Sequence, residues 1–322
     1  MSFEKGHIII IAHGGVGSPI KHKEGTDAAA KEAFRIIKKT KSPLKSSVAG
    51  AVILEDDPRF DAGYGSYFRI DGKSIEMDAA VMDSDNHLAA IASIQKVRNP
   101  VKVAYALLDT PHTFLCGPGA TQFARLKGFP EFDPYTPKSR KVFLTRRKQI
   151  LADKLPLWAL ENWSGIRDEK YIRFYLNNVR DTIGVIATDG KNNFAAAGST
   201  GGTSLMLPGR IGDTPLVGSG FFVGKYGTVV ATGVGEEITK KMLSREVYEK
   251  IRDGMPPQQA CDYGLNLFPG KIPVGVVAIS YNNYGIAANK QMAVSVVSDD
   301  NKFLCQAEKR RTCNNKMKIS WC

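Results

Sequence analysis

Cysteine is scarce and unpaired in this chain. The five residues, Cys116, Cys261, Cys305, Cys313 and Cys322, form no CxxC and are odd in number. That pattern excludes a zinc ribbon and argues against a disulfide framework, so a reducing, cytoplasmic compartment is expected. Long apolar runs are missing too. The stretch HIIIIA at 7–12 is too short for a membrane span or a signal core, and no small-residue cleavage pattern follows it. Neither a membrane partner nor secretion is expected, which leaves the sequon Asn162-Trp163-Ser164 without weight. The nucleotide and hydrolase signatures are equally absent. No GxGxxG follows the first strand, no GK[ST] closes a glycine run, and neither a GxSxG elbow nor HExxH occurs. The five histidines are scattered, and His13 and His112 read as core or loop residues rather than ligands. No internal repeat is visible.

Charge and apolar content are present in quantity. Lys and Arg number 44 against 32 Asp and Glu, a net +12, and 43% of residues are hydrophobic, enough for a sizeable core. Much of the positive excess sits in two patches. One holds Lys138, Ser139, Arg140, Lys141, Arg146, Arg147 and Lys148, and the other Lys309, Arg310, Arg311, Lys316 and Lys318. Without interleaved aromatics or finger spacing they read as solvated faces, and no nucleic-acid partner is expected.

The informative stretch is RDTIGVIATDGKNNFAAAGSTGGTSLMLPGRIGDTPLVGSG at 180–220. Thr182 heads an apolar strand, and a second strand over 193–198 delivers Ser199, Thr200, Gly201 and Gly202 to the loop beyond it. Arg210 and Asp213 follow, spaced by glycines. An Arg fork holds a carboxylate through two parallel hydrogen bonds and an Asp holds an ammonium, so the set suggests an amino-acid site.

Elsewhere the pattern predicts a strand at 8–12 ending in a glycine turn, and a helix capped by Thr26 and Asp27. Paired strands are expected at 76–82 and 88–94, with helices opening at Asn99-Pro100 and Gly117-Pro118-Gly119. Residues 127–180 read as a connector containing a helix over 139–153. A strand at 227–233 presents Thr232 and Gly233, and one long helix is expected over 235–253, acidic first and basic later. A helix from Pro256-Pro257 and strands at 274–280, 285–288 and 292–297 complete the chain. Pattern alone supports only a mixed α and β class.

The chain resembles the N-terminal-nucleophile hydrolases of the plant-type asparaginase, isoaspartyl aminopeptidase and glycosylasparaginase group. The resemblance rests on DTIG at 181–184, STGG at 199–202, GRIGDTP at 209–215 and ATGVGE at 231–236. Upstream it continues through HGGVG at 13–17, LEDDPRFDAGYGS at 54–66, EMDAAVMD at 76–83 and GPGATQFA at 117–124. It implies an α+β fold, a four-layer αββα sandwich, and one catalytic domain over 1–322. That domain would be autocleaved into 1–181 and 182–322, with 127–180 a variable connector and 301–322 a tail.

Residue by residue, the resemblance implies Thr182 as nucleophile and Thr200 as the hydroxyl bonded to it. Arg210 would bind the substrate α-carboxylate and Asp213 its α-ammonium, with Thr232 and Gly233 as oxyanion donors. It also implies a structural sodium ion held by carbonyls of Leu54, Glu55, Asp57, Phe60, Ala62 and Tyr64, no organic cofactor, and a homodimer. A bare threonine hydroxyl is a poor nucleophile, but cleavage of Asp181–Thr182 would give it its own α-amine, with an ordinary pKa of about 7.7 to 8, as general base. L-Asparagine is then the expected substrate, with β-aspartyl dipeptides beside it. Glycosylasparaginase activity is the alternative, and a non-catalytic scaffold of the same fold a remote one. Some positions depart from the group. Asp181 suits glycosylasparaginases whereas Gly201 points away from them, Gly198 stands where threonine is common, Asp61 replaces a frequent asparagine, and Val234 replaces a polar residue.

Overall fold

A computed structural model describes residues 6–152, 182–270, 272–281, 283–299, 307–311 and 317–321. Asp181, residues 153–180 of the connector, and Cys305, Cys313 and Cys322 of the tail lie outside the described residues.

Strand β1 (Ile9–Val16) is buried along its whole length and runs on through the first glycines, beyond the expected end at Ala12. Its ladder with β11 (Met292–Ser298) keeps register from Ile9 to His13 and shifts before Val16. The turn comes after that shift, at Gly17, whose φ of 101° favours glycine. Both faces of β1 are apolar, as expected for a strand with packing on either side. Ile8, Ile10 and Ala12 join one core cluster, and Ile9 and Ile11 join another.

Helix α1 (Lys23–Thr40) starts a turn earlier than expected. Thr26 and Asp27 sit inside it, because they serve packing rather than capping. Thr26 meets Ser295 Oγ at 2.7 Å, and Asp27 accepts from Lys23 and Ser295. Helix α2 (Pro43–Asp56) has Ser42 as its N-cap, accepting from Lys45 N–H at 3.2 Å, with Pro43 at the first helical position. Strands β2 (Met77–Asp83) and β3 (Leu88–Ile94) pair antiparallel as expected, and β4 (Phe114–Cys116), parallel to β3, was not anticipated. Helices α3 (Pro100–Leu107), α4 (Gly117–Leu126) and α5 (Pro137–Ala152) follow. Part of the first basic patch is not solvated. Ser139 and Arg146 are buried, Arg146 stacking over the Tyr67 ring at 5.3 Å, and Arg140 lies between Phe68 and Phe143.

Strands β5 (Ile183–Thr188) and β6 (Phe194–Thr200) form an antiparallel pair, followed by β7 (Phe221–Gly224) and β8 (Gly227–Gly233). The single long helix expected next is two, α6 (Gly235–Lys241) and α7 (Leu243–Arg252). The break is Met242, at φ 47°. It lets Ser244 and Arg245 turn their N–H groups onto the carbonyls of Ser219 and Gly218. Helix α8 (Pro257–Asn266), β9 (Val274–Ser280) and β10 (Asn283–Ala288) precede β11, and the tail adds β12 (Ala307–Arg311) and β13 (Met317–Trp321), neither of them expected.

Among the described residues, the strands form a seven-stranded sheet, β11-β1-β5-β6-β2-β3-β4, and a six-stranded sheet, β12-β13-β10-β9-β8-β7. One apolar cluster joins Ile9, Ile186, Phe194 and Ala196 of the first sheet to Val230, Val277 and Ile279 of the second. Another packs α1 and α2 on the first sheet, and a third packs α6, α7 and α8 on the second. The class is mixed α/β, compatible with α+β. Among the described residues, no helix is long and apolar enough to cross a membrane.

Candidate active site

Thr182 stands just ahead of β5 and is buried, its hydroxyl 3.4 Å from that of Thr214. Continuing the β5–β6 register by one residue sets Thr200 opposite Thr182. The Thr200 hydroxyl accepts the Gly202 N–H at 3.0 Å, which leaves its own proton free to donate. Gly202, at φ 72°, allows that tight turn. In the other sheet, β8 carries Thr232 one residue before its end, and that hydroxyl accepts the Val16 N–H at 3.2 Å. Gly233 follows at φ 147°, against the Pro273 carbonyl, where a side chain would clash.

Arg210 and Asp213 come from the loop over residues 209–213. A Cβ placed at Gly235 would lie 2.8 Å from both Arg210 Nη2 and Asp213 Oδ1, so the two charged groups flank one glycine. Arg210 gives its Nε and Nη2 edge to Glu236, at 2.8 Å each. Asp213 is buried, and among the described residues its Oδ2 has no hydrogen-bond partner. Burial pushes its carboxyl up to about 7. Arg210 opposes that shift, while Glu236 and Asp78 reinforce it.

This places the hydroxyls of Thr182, Thr200 and Thr232 and the Arg210/Asp213 pair around the ends of β5, β6 and β8. A sequence profile described as Asparaginase matches residues 6–304. The chain belongs to the asparaginase family. It is 35% identical over 308 residues to a plant-type L-asparaginase of Pyrococcus furiosus, covering 92% of this chain and 98% of that one. It is 31% identical over 307 residues to an isoaspartyl peptidase/L-asparaginase of Xenopus laevis, covering 91% and 93%. A Mus musculus protein of the same description is 32% identical over 274 residues, covering 82% and 79%.

Within this asparaginase-family chain, the loop after α2 curls back on itself. Side chains at Gly63 and Gly65 would strike the carbonyls of Glu55 and Phe60. Glu55 Oε1 accepts the Val101 N–H at 2.9 Å, and burial raises its carboxyl to about 8. Asp61 is buried, its main-chain carbonyl accepting the Gly201 N–H at 2.9 Å. His13 is buried and neutral, Nδ1 accepting from Gly15 N–H, with desolvation lowering its pKa to about 3, whereas His112 is exposed. Asp83, Asp85 and His87 cluster on the exposed β2–β3 turn.

Sequence reading missed Thr214 and Glu236, although both lie in stretches that carry the resemblance. The threonine sits directly after Asp213 in GRIGDTP, and the glutamate ends ATGVGE. Only the folded proximity to Thr182 and Arg210 assigns them to the site.

Proposed function

We propose that this chain is an amidohydrolase that converts L-asparagine to L-aspartate and ammonia and also cleaves β-aspartyl dipeptides. The carrying observation is the unpartnered, buried Asp213 oxygen beside the Arg210 guanidinium. A buried acceptor left without a donor is costly unless a ligand completes it, and an α-ammonium does so while the guanidinium takes the adjacent α-carboxylate. The names of the relatives support the same substrates.

In this reading the bond between Asp181 and Thr182 is cut first, dividing one catalytic domain into 1–181 and 182–322. The freed Thr182 amine takes the hydroxyl proton as Oγ1 attacks the substrate β-carbonyl carbon. Thr232 is suited to meet the resulting oxyanion. Its oxygen already accepts from Val16, so its proton is available to donate, and the Gly233 N–H is the second donor. Collapse breaks the C–N bond, the amine's proton goes to the leaving ammonia, and a β-aspartyl ester remains on Thr182. Water, deprotonated by the same amine, attacks the ester and releases aspartate and the threonine hydroxyl. Thr200 and Thr214 flank the nucleophile and hold its rotamer.

The three apolar clusters support a four-layer αββα sandwich of the N-terminal-nucleophile type. We further propose a homodimer of cleaved protomers in the cytoplasm, and a sodium ion held by main-chain carbonyls of Leu54, Glu55, Asp57, Phe60, Ala62 and Tyr64. The inward curl at Gly63 and Gly65 and the neutral oxygen donors suit a hard cation, whose contribution is to hold that loop rather than to react.

Intact mass before and after incubation, combined with release of ammonia, amino acid or free sugar from asparagine, a β-aspartyl dipeptide and a glycosylated asparagine, tests the reading. Splitting at residue 181 with ammonia release is the expected result. Sugar release alone would transfer the assignment to glycosylasparaginase, and an uncleaved, inactive chain would leave only a scaffold.

A further inference from the structure

Beneath the Arg210–Asp213 loop lies a buried set of charges on and beside β2, where Asp78 pairs with Thr200 in the β2–β6 ladder. Arg69 and Asp78 are each 1% exposed and Glu76 is 5% exposed. Each holds a different main-chain group of the loop above. Glu76 Oε2 accepts the Gly209 N–H at 2.7 Å, Arg69 Nη2 donates to the Arg210 carbonyl at 3.4 Å, and Asp78 Oδ2 accepts the Gly212 N–H at 3.3 Å.

The same three side chains are fastened to the sheet below. Arg69 donates to Glu76 Oε2 at 3.3 Å and to the Glu76 carbonyl at 3.1 Å. Asp78 Oδ1 accepts the Ser93 N–H at 2.8 Å, and Glu76 Oε1 accepts from Gln95 at 3.3 Å. Buried ions are a poor way to gain stability, since desolvation offsets much of their attraction. Their value here is directional. Residues 209–213 belong to no strand, so no ladder fixes where the Arg210 and Asp213 side chains point.

We propose that Arg69, Glu76 and Asp78 are positioning residues that set the spacing between the Arg210 guanidinium and the Asp213 carboxylate, and thereby select substrates carrying an α-ammonium and an α-carboxylate on one carbon. The inference rests on the amino-acid-binding role proposed above for Arg210 and Asp213. The α-ammonium and α-carboxylate are held alike in the bound substrate and in its transition state, so a displaced pair raises KM and leaves kcat nearly unchanged.

The experiment uses the full-length, cleaved enzyme and compares the parent with Glu76→Gln, Asp78→Asn and Arg69→Lys. Glu76→Gln and Asp78→Asn keep the shape and remove one charge, whereas Arg69→Lys keeps the charge and gives up the guanidinium fork that reaches both Glu76 and the Arg210 carbonyl. KM for asparagine is expected to rise by about tenfold in each, the loss typical of a hydrogen bond to a charged partner, with kcat within about threefold of the parent. Inhibition by L-aspartate, which offers the same two backbone groups, should weaken in parallel. A merely structural role would lower Tm and the cleaved, active fraction while leaving KM unchanged. Unchanged KM in folded, cleaved variants overturns the inference, as does a fall in kcat at constant KM. If Glu76→Gln does not fold, KM for Asp78→Asn and Arg69→Lys decides in the same way. A parent that binds neither asparagine nor aspartate refutes the functional reading itself, and a parent that binds both beside variants of unchanged KM refutes only this inference.

Discussion

The two halves of the candidate site are held by different forces. Thr182, Thr200 and Thr232 stand at the ends of strands, where sheet ladders fix the main chain. Arg210 and Asp213 stand on a loop, where three buried ionic side chains and Glu236 do the fixing. Ladders are short-range and insensitive to charge, whereas an ionic support responds to proton concentration and to single-charge substitutions. Reactivity and recognition should therefore be separable by mutation.

The sharpest break between them is Thr182→Ala. Turnover of asparagine and splitting of the chain are both expected to vanish, read by ammonia release and a denaturing gel, while L-aspartate binding by calorimetry to the unsplit chain shows what recognition survives without the hydroxyl. Thr232→Ala should lower kcat by roughly a hundred- to a thousandfold with KM little changed if, as proposed, its hydroxyl meets the developing charge.

On the recognition side, the raised Asp213 carboxyl gives a pH signature of defined sign. Below about 7 the group is protonated and cannot hold an ammonium, so KM should fall as pH rises through about 7, and Asp213→Asn should flatten that limb at a higher KM. The same shift runs the other way for stability. A carboxyl raised in the folded state contributes most when protonated, and that contribution is lost as pH rises toward about 7. Asp213→Asn should accordingly melt above the parent at pH 8 and not at pH 4, as thermal scans would show. The smallest effect expected is Thr214→Val. Losing one long hydroxyl contact to Thr182 should reduce kcat about two- to fivefold, consistent with a neutral hydrogen bond of about 1 kcal/mol or less.

Much of the reactive half was legible in the letters. The apolar run beginning at Thr182, the STGG loop and the end of β8 carry their own strand and turn chemistry, and the structure brings those ends together. The recognition half was legible only as the pair Arg210 and Asp213. Arg69 looks like an ordinary charge in sequence, and although Glu76 and Asp78 lie in EMDAAVMD, which carries the resemblance, nothing local ties them to the 209–213 loop. The same limit explains the split after Lys241. Met242 has good helix propensity, and the left-handed turn there arises from contacts with residues 218 and 219, outside any local window. Thr26 shows the converse, since a residue well suited to capping was taken instead by Ser295 across the core.

The order of strands in the larger sheet has a mechanical result. Reading across it, β11 comes from beyond residue 181, β1 from before it, β5 and β6 from beyond, and β2, β3 and β4 from before. A cut at residue 181 would thus leave two polypeptides laced through one another, joined along the β11/β1, β1/β5 and β6/β2 seams. Neither piece owns a complete sheet of its own on that side, so the fragments should stay together in native buffer, part only in denaturant, and fail to regain shape when produced separately.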